Sequence, residues 1–187
     1  MAVLNAVVGY ALPSTRDEPH RLPPLGYQLL TVGGAGLAAA CLAVFGVSLE
    51  GLAAAVFCLA LAVVTAADLD YRLIPNRVVL PVSAVVVVLM TVAEPSPEWV
   101  LAALAAGGAL LLLALVYPAG MGMGDVKLAL LMGAALGRSV LPALMLAMVL
   151  AVIPAIALLV RHGRAGRTMG IPFGPFLALG SVVVLFA

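Results

Sequence analysis

The chain has 187 residues, 65% of them hydrophobic and 9% charged, with a formal net charge of +1. A water-soluble domain carries about a quarter charged residues, so this composition excludes a soluble globule and calls for a bilayer as solvent. The small net charge gives no reason to expect nucleic acid as a partner.

Taken in order, residues 1–12 are apolar but too short to span, and lack the basic start and small-residue cleavage site of a signal peptide. Residues 13–24, with Arg16, Asp17, Glu18, His20 and Arg21, read as a polar, proline-rich loop. Apolar runs then predict spans at 26–48, 51–68, 78–93, 98–117, 125–137 and 139–160, and a last one from Pro172 to the end. Polar or breaking residues separate them: Glu50-Gly51, the connection Asp68 to Arg77 closed by Pro75-Asn76, Glu94 to Glu98, and Pro118. The glycine run 120–124, Arg138-Ser139 and the basic loop Arg161 to Thr168 complete the set, and Pro154 predicts a kink. The fold expected is an all-α, polytopic transmembrane bundle of about seven helices. It forms one integral-membrane domain over 1–187, with 1–25 a stub and loop and 26–187 the helical core. Cys41 and Cys58 lie inside apolar runs and read as buried small hydrophobes rather than a disulfide or metal pair.

Counting cations on alternate sides orients the bundle. Arg16, Arg21, Arg72, Arg77, Lys127, Arg161, Arg164 and Arg167 fall on one side, and Arg138 alone, with Glu50, Glu94 and Glu98, on the other. The eight-to-one split predicts that the first side, which includes the N-terminus, is cytoplasmic.

Acids near membrane depth need water, a partner or a substrate. Asp68 closes the second span and Asp125 opens the fifth, both on the predicted cytoplasmic side. Two carboxylates in one low-dielectric site share a proton. The ionised member activates water while the protonated member donates to a scissile carbonyl or leaving nitrogen. The helix macrodipole favours the anion at Asp125, at a helix N-terminus, and disfavours it at Asp68, at a C-terminus. On that ground Asp68 is expected to be the resting acid and Asp125 the resting base, within a pair that titrates as a unit.

Gly120, Gly122 and Gly124 fit two readings. One is a backbone open to close approach by an extended substrate. The other is small-xxx-small helix packing, repeated at Gly133 and Gly137. A phosphate cradle fits poorly, since no strand precedes the glycines and no lysine–serine pair follows. Asp70 reads as a solvated loop acid near Arg72. Lys127 reads as a snorkelling anchor ahead of a counter-charge for the acids, and His20 and His162 as solvated. The basic loop at 161–168 is a topology signal first and a lipid-headgroup contact second.

Together these residues resemble the prepilin peptidase family, the GxGD-type membrane aspartic proteases. Three blocks carry the resemblance: Asp68-Leu69-Asp70-Tyr71-Arg72-Leu73-Ile74-Pro75-Asn76, Gly122-Met123-Gly124-Asp125-Val126-Lys127-Leu128, and Ile171-Pro172-Phe173-Gly174-Pro175-Phe176-Leu177-Ala178. It implies an aspartic endopeptidase with Asp68 and Asp125 catalytic and with Gly122, Gly124, Lys127, Pro172, Phe173 and Gly174 shaping the site. The implied substrate is a prepilin or pseudopilin, whose short basic leader is cut, usually after glycine, at the cytoplasmic face of the inner membrane. No cofactor is implied. Larger members of the family carry a cytoplasmic insert with two Cys-x-x-Cys pairs and also N-methylate the new N-terminus. Residues 13–24 hold no cysteine, so no zinc site is expected, and the departure argues against methyltransferase activity. Residues 4–13 resemble the end of the family's first helix, most of which is expected to be absent. A reading from another class is a small ion- or proton-coupled transporter or channel subunit using the same aspartates. It predicts internal repeats and a charge at mid-span, and the sequence has neither. A presenilin-like protease shares GxGD but has a tyrosine before its first aspartate, where this chain has Ala67.

Overall fold

The structure is a computed structural model that describes residues 23–118, 121–163 and 171–187. The stub and loop before residue 23, Gly120 and most of the basic loop at 161–168 lie outside the described residues.

Among the described residues there are seven α-helices: α1 (Pro24–Phe45), α2 (Leu49–Tyr71), α3 (Asn76–Ala93), α4 (Glu98–Val116), α5 (Met123–Leu136), α6 (Val140–His162) and α7 (Gly174–Leu185). Five stretches are long and apolar enough to cross a membrane: α1 to α4, and the 40-residue run from Met123 to His162. Within that run a 3-10 turn at Gly137–Ser139 separates α5 from α6. Gly137 has φ 54°, a left-handed conformation that favours glycine, so the helix breaks there. The expected number of helices is met, but two of them are short. At 1.5 Å per residue, α5 (14 residues) and α7 (12 residues) extend about 21 and 18 Å, less than the roughly 30 Å hydrocarbon core.

The ends of the helices follow from local chemistry. Ser48 caps α2, its Oγ accepting the Gly51 N–H at 3.0 Å. The same helix outruns its predicted end at Asp68 and stops at Tyr71. There Arg72 turns left-handed (φ 54°) and returns its N–H to the Asp68 carbonyl at 2.9 Å. Pro75 then caps α3.

α2 is the most enclosed of the long helices and touches α1, α3, α5 and α7. Phe57, Leu61 and Val64 of α2, Leu128, Leu131 and Met132 of α5, and Leu177 of α7 are fully buried in one core. α4 pairs with α5, and α6 leans mainly on α7. Small residues allow these approaches: a Cβ on Gly133 would lie 2.4 Å from the Ala102 carbonyl oxygen of α4. Ser83 and Ser181, buried among hydrocarbon, each donate to the carbonyl four residues back, at 2.7 Å. Cys41 and Cys58 are buried and free, as expected of small hydrophobes, with their Sγ atoms 3.5 Å apart between α1 and α2.

Two cavities mark opposite ends of the bundle. One is lined by Phe45, Glu50, Trp99, Ser139 and Leu185 among others, and the other by Asp68, Arg72, Asn76, Gly122, Asp125 and Lys127 among others. Arg72 and Lys127 thus lie at one end and Glu50 at the other.

Candidate active site

The second cavity has a volume of about 290 Å³. Three segments build its wall: the last turn of α2 with Asp68, the connection Arg72–Asn76, and the start of α5 with Gly122, Met123, Gly124, Asp125 and Lys127. Asp68 and Asp125, 57 positions apart in the chain, therefore face one space, and each lies within electrostatic reach of the other.

Asp125 is the third residue of α5. Its Oδ2 accepts the Gly122 N–H at 3.2 Å, while its own N–H returns to the Gly122 carbonyl at 3.1 Å. This reciprocal cap satisfies two backbone groups that a helix start otherwise leaves open. Asp68 is 6% exposed, and its Oδ2 accepts the N–H of Gly174 at 2.8 Å. Gly174 is the first residue of α7, so Asp68 also faces a helix N-terminus. The macrodipole asymmetry expected from the sequence is therefore absent. Each carboxylate accepts one amide from a helix start, and the positive end of α7 offsets the C-terminal position of Asp68 on α2. The dipole argument no longer separates a resting acid from a resting base.

The two glycines of the second block have different tasks. A Cβ on Gly124 would lie 2.7 Å from Cβ of Ile74, so Gly124 is a packing glycine that seats the first block against the second. Gly122 is exposed, and its contribution is the amide that holds Asp125. Gly174 also needs to be small, since a Cβ there would come 2.8 Å from Asp68 Oδ2. Phe173 caps α7 through its carbonyl and packs its ring on the main core. Pro172, just before it, is partly buried. Gly174 lies against Asp68, and Pro172, Phe173 and Gly174 are not part of the cavity wall.

One residue gains a partner the sequence did not show, and one expectation is corrected. Lys127 is half-buried in the cavity wall, and its Nζ donates to Asn76 Oδ1 at 2.8 Å, because α3 packs on α5. Asp70 is not a solvated loop acid: α2 continues past it, it is 3% exposed, and it accepts a hydrogen bond from the Tyr27 hydroxyl of α1. Asn76 and Arg72 were legible as parts of the first block, though not as lining. Arg72 lies within electrostatic reach of Asp68. Tyr27 had no signal in the sequence, since an aromatic residue in an apolar run is ordinary core material.

Residues 55–160, which include Asp68 and Asp125, match the type IV leader peptidase family. The chain is 34% identical over 145 residues to a prepilin leader peptidase/N-methyltransferase of Bacillus subtilis (strain 168), covering 74% of this chain and 57% of the relative. It is 33% identical over 178 residues to the protein of that name from Burkholderia pseudomallei (strain 1026b), covering 89% and 57%. It is 35% identical over 170 residues to one from Pseudomonas putida, covering 86% and 58%. The chain spans somewhat over half the length of these curated relatives. No solved structure matches it significantly. With the family match extending over more than half of its residues, the chain belongs to the type IV leader peptidase family.

Proposed function

We propose that this protein is a membrane-embedded aspartic endopeptidase. It removes the short basic leader of a prepilin or pseudopilin at the cytoplasmic face of the inner membrane, with Asp68 and Asp125 as the catalytic pair. The observation that carries the reading is that these two carboxylates, from separate blocks of the chain, line one cavity at the bundle end that also holds Arg72 and Lys127. The names of the relatives support the substrate class.

In each carboxylate Oδ2 is engaged by a backbone amide, which leaves Oδ1 for the reaction. One ionised Oδ1 takes a proton from water as its oxygen attacks the scissile carbonyl, and the other carboxyl donates its proton to the carbonyl oxygen. The tetrahedral gem-diol collapses when the first carboxyl passes its proton to the leaving nitrogen and the second carboxylate takes back a hydroxyl proton, which restores the carbonyl. The pair then regains its single shared proton.

A cleavage assay in detergent tests this, with a synthetic peptide that joins a basic leader ending in glycine to a hydrophobic helix-forming segment. Asp68→Asn and Asp125→Asn are each expected to lower kcat by about a thousandfold or more. Wild-type turnover in either variant would falsify the assignment. Orientation is tested separately by labelling of Leu73→Cys, which lies in the site-end connection, and Glu94→Cys, at the other end, with a membrane-impermeant thiol reagent. In sealed right-side-out vesicles only Glu94→Cys should react, and the reverse result would invert the topology.

A further inference from the structure

Asp68 sits in the last turn of a helix, where intrahelical hydrogen bonds run out and ends fray. A reacting carboxylate there needs bracing from outside its own helix. One brace is the Gly174 amide of α7. A second lies on the opposite side of the same turn. Asp70, two residues on and thus about 200° around the helix, turns away from the cavity, whose wall does not include it. It accepts the hydroxyl hydrogen of Tyr27, a residue 5% exposed on α1 that packs with Ala66, Val63 and Tyr71. The Tyr71 hydroxyl interacts with the same two groups.

Stability alone does not call for this arrangement. Burying a carboxylate between helices is costly even when it is hydrogen-bonded, and apolar residues of similar volume hold two helices together at least as well. A carboxylate–phenol pair adds direction, which apolar packing lacks. It sets the rotation of the last turn of α2 about the helix axis, and Asp68 rides on that turn.

We infer that Tyr27 and Asp70 form a positioning pair that aims Asp68 at Asp125 across the cavity, a role that rests on the aspartic-peptidase reading above. Neither residue touches substrate. The pair acts through the helix turn, and misplacement of a reacting group by about 1 Å costs up to a hundredfold in rate.

The test uses the full chain in detergent and the leader peptide described above, with turnover normalised to monodisperse folded protein. Tyr27→Phe keeps the ring and removes the donor; it is expected to lower kcat about tenfold with KM held within about twofold. Asp70→Leu should do the same. Asp70→Asn keeps an acceptor for the phenol and should lose no more than about threefold. A structural role alone would lower the folded fraction and leave turnover per folded molecule untouched, and that result overturns the inference. So does an Asp70→Asn variant as inactive as Asp68→Asn, which would put Asp70 in the chemistry itself. Asp68→Asn and Asp125→Asn run alongside. If they are inactive while Tyr27→Phe turns over like wild type, the positioning pair alone falls. If they stay active, the peptidase reading falls with it.

Discussion

The two ends of the bundle treat their acids in opposite ways. At the far end Glu98 meets the guanidinium of Arg138 at 3.0 Å and also accepts the Arg138 backbone N–H at 3.1 Å. At the site end, among the described residues, neither Asp68 nor Asp125 takes a cationic side chain within 4.0 Å. Each accepts a single backbone amide instead, and the nearby Lys127 is committed to Asn76. A carboxylate neutralised by guanidinium is finished chemically. One held by an amide on a single oxygen is oriented yet keeps its other oxygen for proton transfer. On the proposed reading, the comparison separates an acid that closes a turn from acids kept ready to react.

The contrast is broken most strongly by disturbing how Asp68 is held. Gly174→Ala places a methyl group 2.8 Å from Asp68 Oδ2. The carboxylate is the mobile partner, so it swings, and the bond from the residue 174 amide is lost. We expect kcat to fall about a hundredfold while helicity and elution volume stay those of wild type. Unchanged turnover would mean that the α7 amide does not orient the acid.

A smaller effect comes from the contact that joins the two motif blocks. Gly124→Ala sets a Cβ 2.7 Å from Cβ of Ile74, a branched position with little freedom to yield. Overpacking of this kind costs about 1–3 kcal/mol, and about a tenfold loss of kcat is expected as the start of α5 shifts. Ile74→Ala in the same chain should restore activity to within about threefold. If it does not, Gly124 matters for the path of the substrate rather than for packing.

These contacts also mark what could be read before the structure. Runs of valine, leucine and alanine broken by Pro75, Pro118 and Arg138-Ser139 make the helices legible, because the bilayer allows a buried backbone few other conformations. The pairing of Asp68 with Asp125, 57 positions apart, was legible from their shared side of the predicted bundle and from the likeness of their motif blocks, since spacing alone does not bring them together. What escaped was tertiary in origin. Whether Asp70 is solvated depends on where α2 ends, and the boundary lies three residues past the predicted one. The dipole argument treated each aspartate on its own helix and missed α7, which arrives from more than a hundred residues away. The bond from Lys127 could not be read because its acceptor, Asn76, sits on another helix.

Lower again is the effect expected at Lys127. Lys127→Met removes the bond to Asn76 Oδ1 and one cation from the cavity. Hydrogen bonds that involve a charged group contribute about 1.5–3 kcal/mol when well enclosed, and this one is half-exposed, so about a fivefold loss in kcat/KM is expected. Asn76→Ala should reproduce most of that loss, and the double variant should be little worse than either single one. Full additivity would show that the two side chains act separately.

The far end supplies the weakest perturbation and the cleanest control. Arg138 is 89% exposed, so the charge term of its pair with Glu98 is screened by water and contributes less than about 1 kcal/mol. Arg138→Gln should lower the detergent Tm by no more than a few degrees and leave kcat unchanged, because it keeps the backbone N–H that Glu98 accepts. Glu98→Ala removes that acceptor as well as the charge at a turn where Gly137 already occupies a left-handed conformation. Its larger loss of stability should still come without a change in turnover per folded molecule. If either far-end variant altered kcat, the two ends would be mechanically coupled through α4 and α5, and the division between a closing acid and reacting acids would no longer hold.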